Sequence, residues 1–219
     1  MSKPLVIFDF DGVLVDTVDL LEGEIRKKLA ELGYDFMKDR EETLDLFEEN
    51  IVVALIEHGL TPHDMCVVWE HIQDVTRSGD VHLCSGIPAM LDKLNGRCDM
   101  AIVSSNSTDA IRSIIERLGI EPYFFKVSGG DEATGKAVRI KACMDEIGVK
   151  PSKTFYVGDT VGDVGEAKEA GVGSVVVAWG AYPLERLAGA SPDCIIREPP
   201  ELVDLIDAFS EEEESTSQD

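Results

Sequence analysis

Short apolar runs, rich in β-branched and aromatic residues, recur at Leu5–Phe8, Ala101–Val103, Phe124–Val127, Thr154–Val157 and Val175–Ala178. Each ends in small or acidic residues and gives way to a helical stretch. Runs this short do not make buried helices, and strands alternating with helices require a parallel sheet covered on both faces. The expected fold class is α/β, a doubly wound parallel sheet. Helix signals support it: Ser107, Thr108 and Asp109 precede Ile111–Leu118, which Gly119 closes, and Gly148 closes Lys136–Ile147.

Residues 17–84 break the alternation, because they hold no credible strand. Three amphipathic stretches fill them: Val18–Leu32 stopped by Gly33, Arg40–His58 stopped by Gly59, and a third entering at Thr61-Pro62-His63-Asp64. In the third, Thr caps and Pro takes the first helical position. The spacing therefore predicts an all-helical insert, residues 17–84, in a core made of residues 1–16 and 85–210. The last nine residues, Glu211–Asp219, carry five acids and no large apolar side chain, which predicts a disordered acidic tail. A length of 219 residues suits one full domain plus a smaller unit.

The formal net charge of −23 repels phosphate backbones, so nucleic acid is not an expected partner. The insert alone carries 16 acids against 6 bases. No apolar run approaches the ~20 residues of a bilayer span, and no secretion segment opens the chain. A soluble, cytoplasmic monomer or weak homodimer without a membrane partner is expected. Five cysteines form no C-x-x-C pair, and four histidines never recur at three- or four-residue spacing, which argues against a disulfide framework and a zinc site.

Chemistry concentrates where the apolar runs end. The first leads into Asp9-Phe10-Asp11-Gly12 and the fourth into Gly158-Asp159-Thr160-Val161-Gly162-Asp163. In a parallel sheet, ligands gather beyond the carboxyl ends of the strands. Either acidic segment could be a turn or a cap, Asp163 especially. Four carboxylates meeting in one crevice, however, call for a cation, and hard oxygen ligands suit magnesium and a phosphate-bearing substrate. The second run ends at Ser104-Ser105-Asn106, short donors before a helix N-terminus, which are either anion ligands or caps. Lys136, at the start of its helix, could offset a phosphate; a surface lysine is the alternative.

Together these segments resemble the haloacid dehalogenase-like superfamily. "VIFDFDGVLVDT" is similar to its first motif, "AIVSSN" to its second, Lys136 in "GKAVRIK" to its third, and "FYVGDTVGD" to its fourth, in order. The segments "VVVAWG", "ERLAGASPDCII" and "PPELVDLI" resemble the phosphoglycolate phosphatase-like branch. The third motif departs from the usual Lys-Pro-x-Pro-Asp: it reads Lys136-Ala137-Val138-Arg139-Ile140, which leaves Lys141 as a second candidate.

The resemblance implies a Rossmann-like core with a helical cap that moves over the site. It also implies magnesium-dependent hydrolysis of a small phosphorylated metabolite. Asp9 would be the nucleophile and Asp11 the general acid and base. Asp9, the Asp11 carbonyl, Asp159 and Asp163 would serve the metal, and Ser104, Ser105, Asn106 and Lys136 the phosphate. The presence of Asp11 favours a phosphomonoester over a carbon–halogen bond. A sugar phosphomutase shares these motifs, and a non-catalytic binding module would have lost Asp9, Asp11 or Asp159.

Overall fold

The computed structural model describes residues 3–37, 39–48, 51–132 and 134–216. Six parallel strands form one sheet: β1 Leu5–Phe8, β2 Asp99–Val103, β3 Lys126–Ser128, β4 Thr154–Gly158, β5 Gly173–Val177 and β6 Cys194–Ile196. Their spatial order is β3-β2-β1-β4-β5-β6, so the chain winds one way from β1 and then the other. That reversal falls between β1 and β4, where a doubly wound sheet opens its crevice. The register is tight there: Phe8 lies level with Ile102 on β2 and Val157 on β4.

The sheet is apolar on both faces. Val6 and Phe8 point to one side, against Ile87 and Leu91 of α5 (Ile87–Leu94), Ile111 and Ile115 of α6 (Thr108–Arg117), and Leu202 and Ile206 of α10 (Pro199–Thr216). Leu5, Ile7 and Tyr156 point to the other, against Ile140 and Cys143 of α7 (Lys136–Ile147) and Ala167 of α8 (Val161–Ala170). This period-two division of β1 is why a four-residue strand suffices. Each large side chain buried from water contributes roughly 1.5–3 kcal/mol.

Between β1 and β2 the chain first forms α1 (Val18–Glu31), α2 (Arg40–Glu48), α3 (Ile51–Glu57) and α4 (Pro62–Ser78). This stretch has a small core of its own, built from Ile25, Leu29, Met37, Leu55, Leu60, Val68 and Ile72. Thr61 caps α4, accepting from the Asp64 amide, with Pro62 at the first position. The two segments joining insert and sheet run side by side: the Asp16 amide donates to the His82 carbonyl and the Cys84 amide to the Leu14 carbonyl, each at 3.0 Å. The insert also returns to the core. Leu44 of α2 packs with Val164, Val176, Tyr182 and Leu187, the last on α9 (Leu184–Gly189), and the Tyr182 hydroxyl donates to the Leu44 carbonyl.

Four expectations need correction. The third strand lies at Lys126–Ser128, later than the apolar run Phe124–Val127, because a short 3-10 turn at Glu121–Tyr123 leads into it. A sixth strand, Cys194–Ile196, pairs with β5. The stretch Arg40–His58 is two helices, with residues 49 and 50 outside the described residues. The acidic tail is helical as far as Thr216, because α10 is anchored by Leu202, Val203 and Ile206 and simply propagates. Residues 217–219 lie outside the described residues.

Candidate active site

β1 ends at Phe8, and the Asp9 amide still donates to the Val157 carbonyl at 2.8 Å. The extended backbone stops there: Leu14 and Val15 both donate to the Phe10 carbonyl and Gly12 to Val15, forming a turn. Gly12 adopts φ +75°, and a Cβ on it would stand 2.2 Å from Asp159 Oδ2. Gly180 backs Asp159 as closely: a Cβ added there would stand 2.2 Å from the Asp159 Cβ. Asp159 is thus wedged between two backbones that tolerate no side chain, while its Oδ2 accepts from the Ala181 amide at 2.7 Å.

Lys136 organises the acids. Its Nζ donates to Asp9 Oδ2 at 2.9 Å and Asp163 Oδ1 at 2.8 Å, and lies 3.6 Å from Glu166 Oε2. Asp163 also forms a capping box with Thr160 at the start of α8. The capping and charged roles of Asp163 therefore coexist. Asp9, Asp159 and Asp163 are buried and offer oxygen atoms within 4.8 Å of one another. Asp11 stands apart from that trio, accepting from Thr17 Oγ1 at 2.6 Å and Asn106 Nδ2 at 3.1 Å.

Ser104 and Asn106 are buried in the loop after β2, and Asn106 donates from its amide to Ser104 Oγ at 3.2 Å. Ser105 faces solvent, and its carbonyl lies against Gly130. Lys141 is exposed while Lys136 is buried, so of the two lysines only Lys136 joins the acids. Sequence reasoning missed Thr17, Tyr156, Glu166 and Arg139. The Tyr156 hydroxyl bridges the Val103 carbonyl and Asp163 Oδ1 at 3.1 and 3.3 Å. Glu166 follows Asp163 by three residues, a helical-face spacing that could have flagged it.

Burial dominates the electrostatics. It pushes the Asp9 carboxyl up to about 6, with Lys136 opposing and Asp163 reinforcing. It pushes Glu166 up to about 7, again against Lys136. Burial, then the charges of Asp163 and Asp9, hold Asp159 well above the usual carboxylate range. Burial raises Asp11 too, against its hydrogen bonds from Thr17 and Asn106. Asp163 goes the other way: burial works against its charge, but Lys136 and Thr160 hold it below the ordinary value. Burial would lower Lys136, yet Asp163 and Asp9 hold it well above its usual value. One fixed cation among four carboxyl groups leaves an excess of negative charge, and an all-oxygen donor set fits a hard divalent cation.

An open parallel sheet with paired acids beyond β1 and β4 and a lysine between them suits cation-assisted chemistry on an anionic group. Residues 6–177 match the haloacid dehalogenase-like hydrolase family, and the chain belongs to it. Among its relatives, a phosphoglycolate phosphatase of Synechococcus elongatus is 28% identical over 92% of this chain and 96% of its own length. The pyrophosphatase PpaX of Oceanobacillus iheyensis is 23% identical over 96% and 100%. A haloacid dehalogenase-like hydrolase from Streptococcus pneumoniae superposes with a TM-score of 0.79 at 20% identity, covering 93% of this chain and 98% of that one. That last likeness shows the fold. Among the described residues, no helix is long and apolar enough to cross a membrane.

Proposed function

We propose that the protein is a magnesium-dependent phosphatase of small phosphomonoesters, acting through a phosphorylated Asp9. It is a phosphoric monoester hydrolase of the haloacid dehalogenase-like family. One observation carries the proposal: Asp9, Asp159, Asp163 and Lys136 meet where β1 and β4 end.

Asp9, the Asp11 carbonyl, Asp159 and Asp163 would hold the cation, which supplies charge neutralisation of the transferring phosphoryl group. Asp9 attacks phosphorus through a carboxylate oxygen, and the ester oxygen leaves as an alcohol. Asp11, raised by burial, gives that oxygen its proton and then takes one from the water that hydrolyses the acyl phosphate. Thr17 and Asn106 hold the two Asp11 oxygens and so aim that proton. Ser104, Asn106 and Lys136 grip the phosphoryl oxygens, since this chemistry depends mostly on positioning and charge. Ser105 contributes through its backbone.

We read residues 17–84 as a cap, hinged on the paired segments around Asp16 and His82. Its bases are engaged: Arg26 pairs with Glu22, Lys27 with Glu24, Lys28 with Glu31, and Arg40 with Asp19 and Glu22. Lys38 lies outside the described residues. Arg40, exposed and held by Asp19 and Glu22, would have to exchange those partners to meet a second anionic group on the substrate. Phosphoglycolate, the substrate in the Synechococcus relative's name, has such a group.

A panel of phosphoglycolate, pyrophosphate and hexose phosphates, read by phosphate release, tests the proposal. Phosphoglycolate should lead the hexose phosphates by at least tenfold in kcat/KM, about 1.4 kcal/mol of transition-state binding. Activity should vanish with a chelator, return with magnesium and respond poorly to calcium. Undiminished activity after chelation would overturn the metal's place. Interconversion of hexose phosphates without phosphate release would make the protein a mutase.

A further inference from the structure

Arg139 is 4% exposed and has no task in the chemistry above. It follows Lys136 by three residues on the buried face of α7, together with Ile140 and Cys143. Its Nη1 donates to the Ser104 carbonyl at 2.8 Å and the Ser128 carbonyl at 2.9 Å, and its Nε to the Thr134 carbonyl at 3.2 Å. Those three carbonyls belong to three segments: the loop after β2, the end of β3, and the approach to α7. The same segments are laced further out, where the Ser104 amide donates to the Ser128 carbonyl at 3.1 Å and the Gly130 amide to the Asn106 carbonyl at 2.7 Å.

Among the described residues Arg139 forms no ion pair with a carboxylate at hydrogen-bond range. A buried guanidinium satisfied by carbonyls alone costs desolvation energy that a mere packing role does not explain. Its rigid fork of donors can address three fixed oxygens at once, which a lysine ammonium on a flexible stem cannot reproduce. Arg139 also stands where the motif that the sequence resembles carries its second proline. Hydrogen bonds would here do the stiffening that a ring does there.

We infer that Arg139 is a positioning residue that holds the loop Ser104–Asn106 in register with Lys136, so that both meet the same phosphoryl group. This rests on the phosphatase reading for its kinetic consequences and not for its structural ones. Misplacing such groups by about 1 Å is worth about a hundredfold in rate.

Arg139→Lys and Arg139→Gln, made in the full chain, test it twice. Amide hydrogen exchange should rise at least about tenfold at Ser104 and Gly130, with Ile7 and Val157 unchanged. Kinetically, inorganic phosphate should inhibit at least about tenfold more weakly and kcat/KM should fall. The magnesium requirement should hold within about twofold, since Asp9, Asp159 and Asp163 stand on other elements. Unchanged exchange at Ser104 and Gly130 in both variants would overturn the inference. So would protection lost evenly across the sheet, or phosphate and magnesium affinities falling together. Should the wild type release phosphate from no ester, the functional reading fails and the exchange experiment alone decides on Arg139.

Discussion

Lys136 is shared among more negative charge than it can neutralise, and Glu166 shows the consequence. Its carboxyl ordinarily titrates near 4.5 and here is pushed up to about 7 by burial. The folded chain therefore binds a proton more tightly than the unfolded one. The resulting stability is present below 4.5 and is lost as pH rises through about 7. Metal-free protein should accordingly have a higher thermal midpoint near pH 5 than near pH 8. Glu166→Gln should flatten that profile and raise the midpoint at the alkaline end. A variant whose profile keeps the wild-type slope would show that Glu166 is not its source. Asp9, Asp159, Asp163 and Lys136 were legible in the sequence because each follows an apolar run or opens a helix. Arg139 and Tyr156 were not, because their partners are backbone carbonyls and a carboxylate that only the folded sheet brings near.

At the scale of elements, local signals located helices well where glycine or a capping residue marks the ends. Helix α7 runs from Lys136 to Ile147 between Gly135 and Gly148, as its pattern predicts. Strand β6 escaped notice because three residues, Cys194–Ile196, are too few to show a period, and only pairing with β5 makes them a strand. The helical Glu211–Thr216 stretch escaped because composition registers its charge and not the anchored helix before it. Helix α2 meets the core through Leu44, and α4 meets it at α6, where Arg117 Nη1 donates to the Gly79 carbonyl. Leu44→Ala would leave a cavity beside Val164 and Tyr182, at a cost of about 2 kcal/mol that falls on docking. The KM for the ester should therefore rise several-fold while kcat changes less, in steady-state measurements. A fall in kcat at constant KM would place Leu44 in the chemical step instead.

Across the whole molecule, a net charge of −23 surrounds a site that must admit an anion. The fold reconciles the two by setting Lys136 and the Ser104–Asn106 loop in the crevice and leaving most acids on outward faces. The doubly wound order makes this possible, because the reversal between β1 and β4 puts the ends of both strands beside one opening. The proposed chemistry turns on Asp9 carrying the phosphoryl group. Rapid quenching during turnover of phosphoglycolate with magnesium, followed by borohydride reduction, converts an aspartyl phosphate to homoserine, which the mass of its peptide reveals. Homoserine is expected at position 9, dependent on both ester and metal, and an Asp9→Asn variant should be slower by several orders of magnitude. Rapid hydrolysis with Asp9 unmodified, or an Asp9→Asn variant within about tenfold of wild type, would contradict that chemistry.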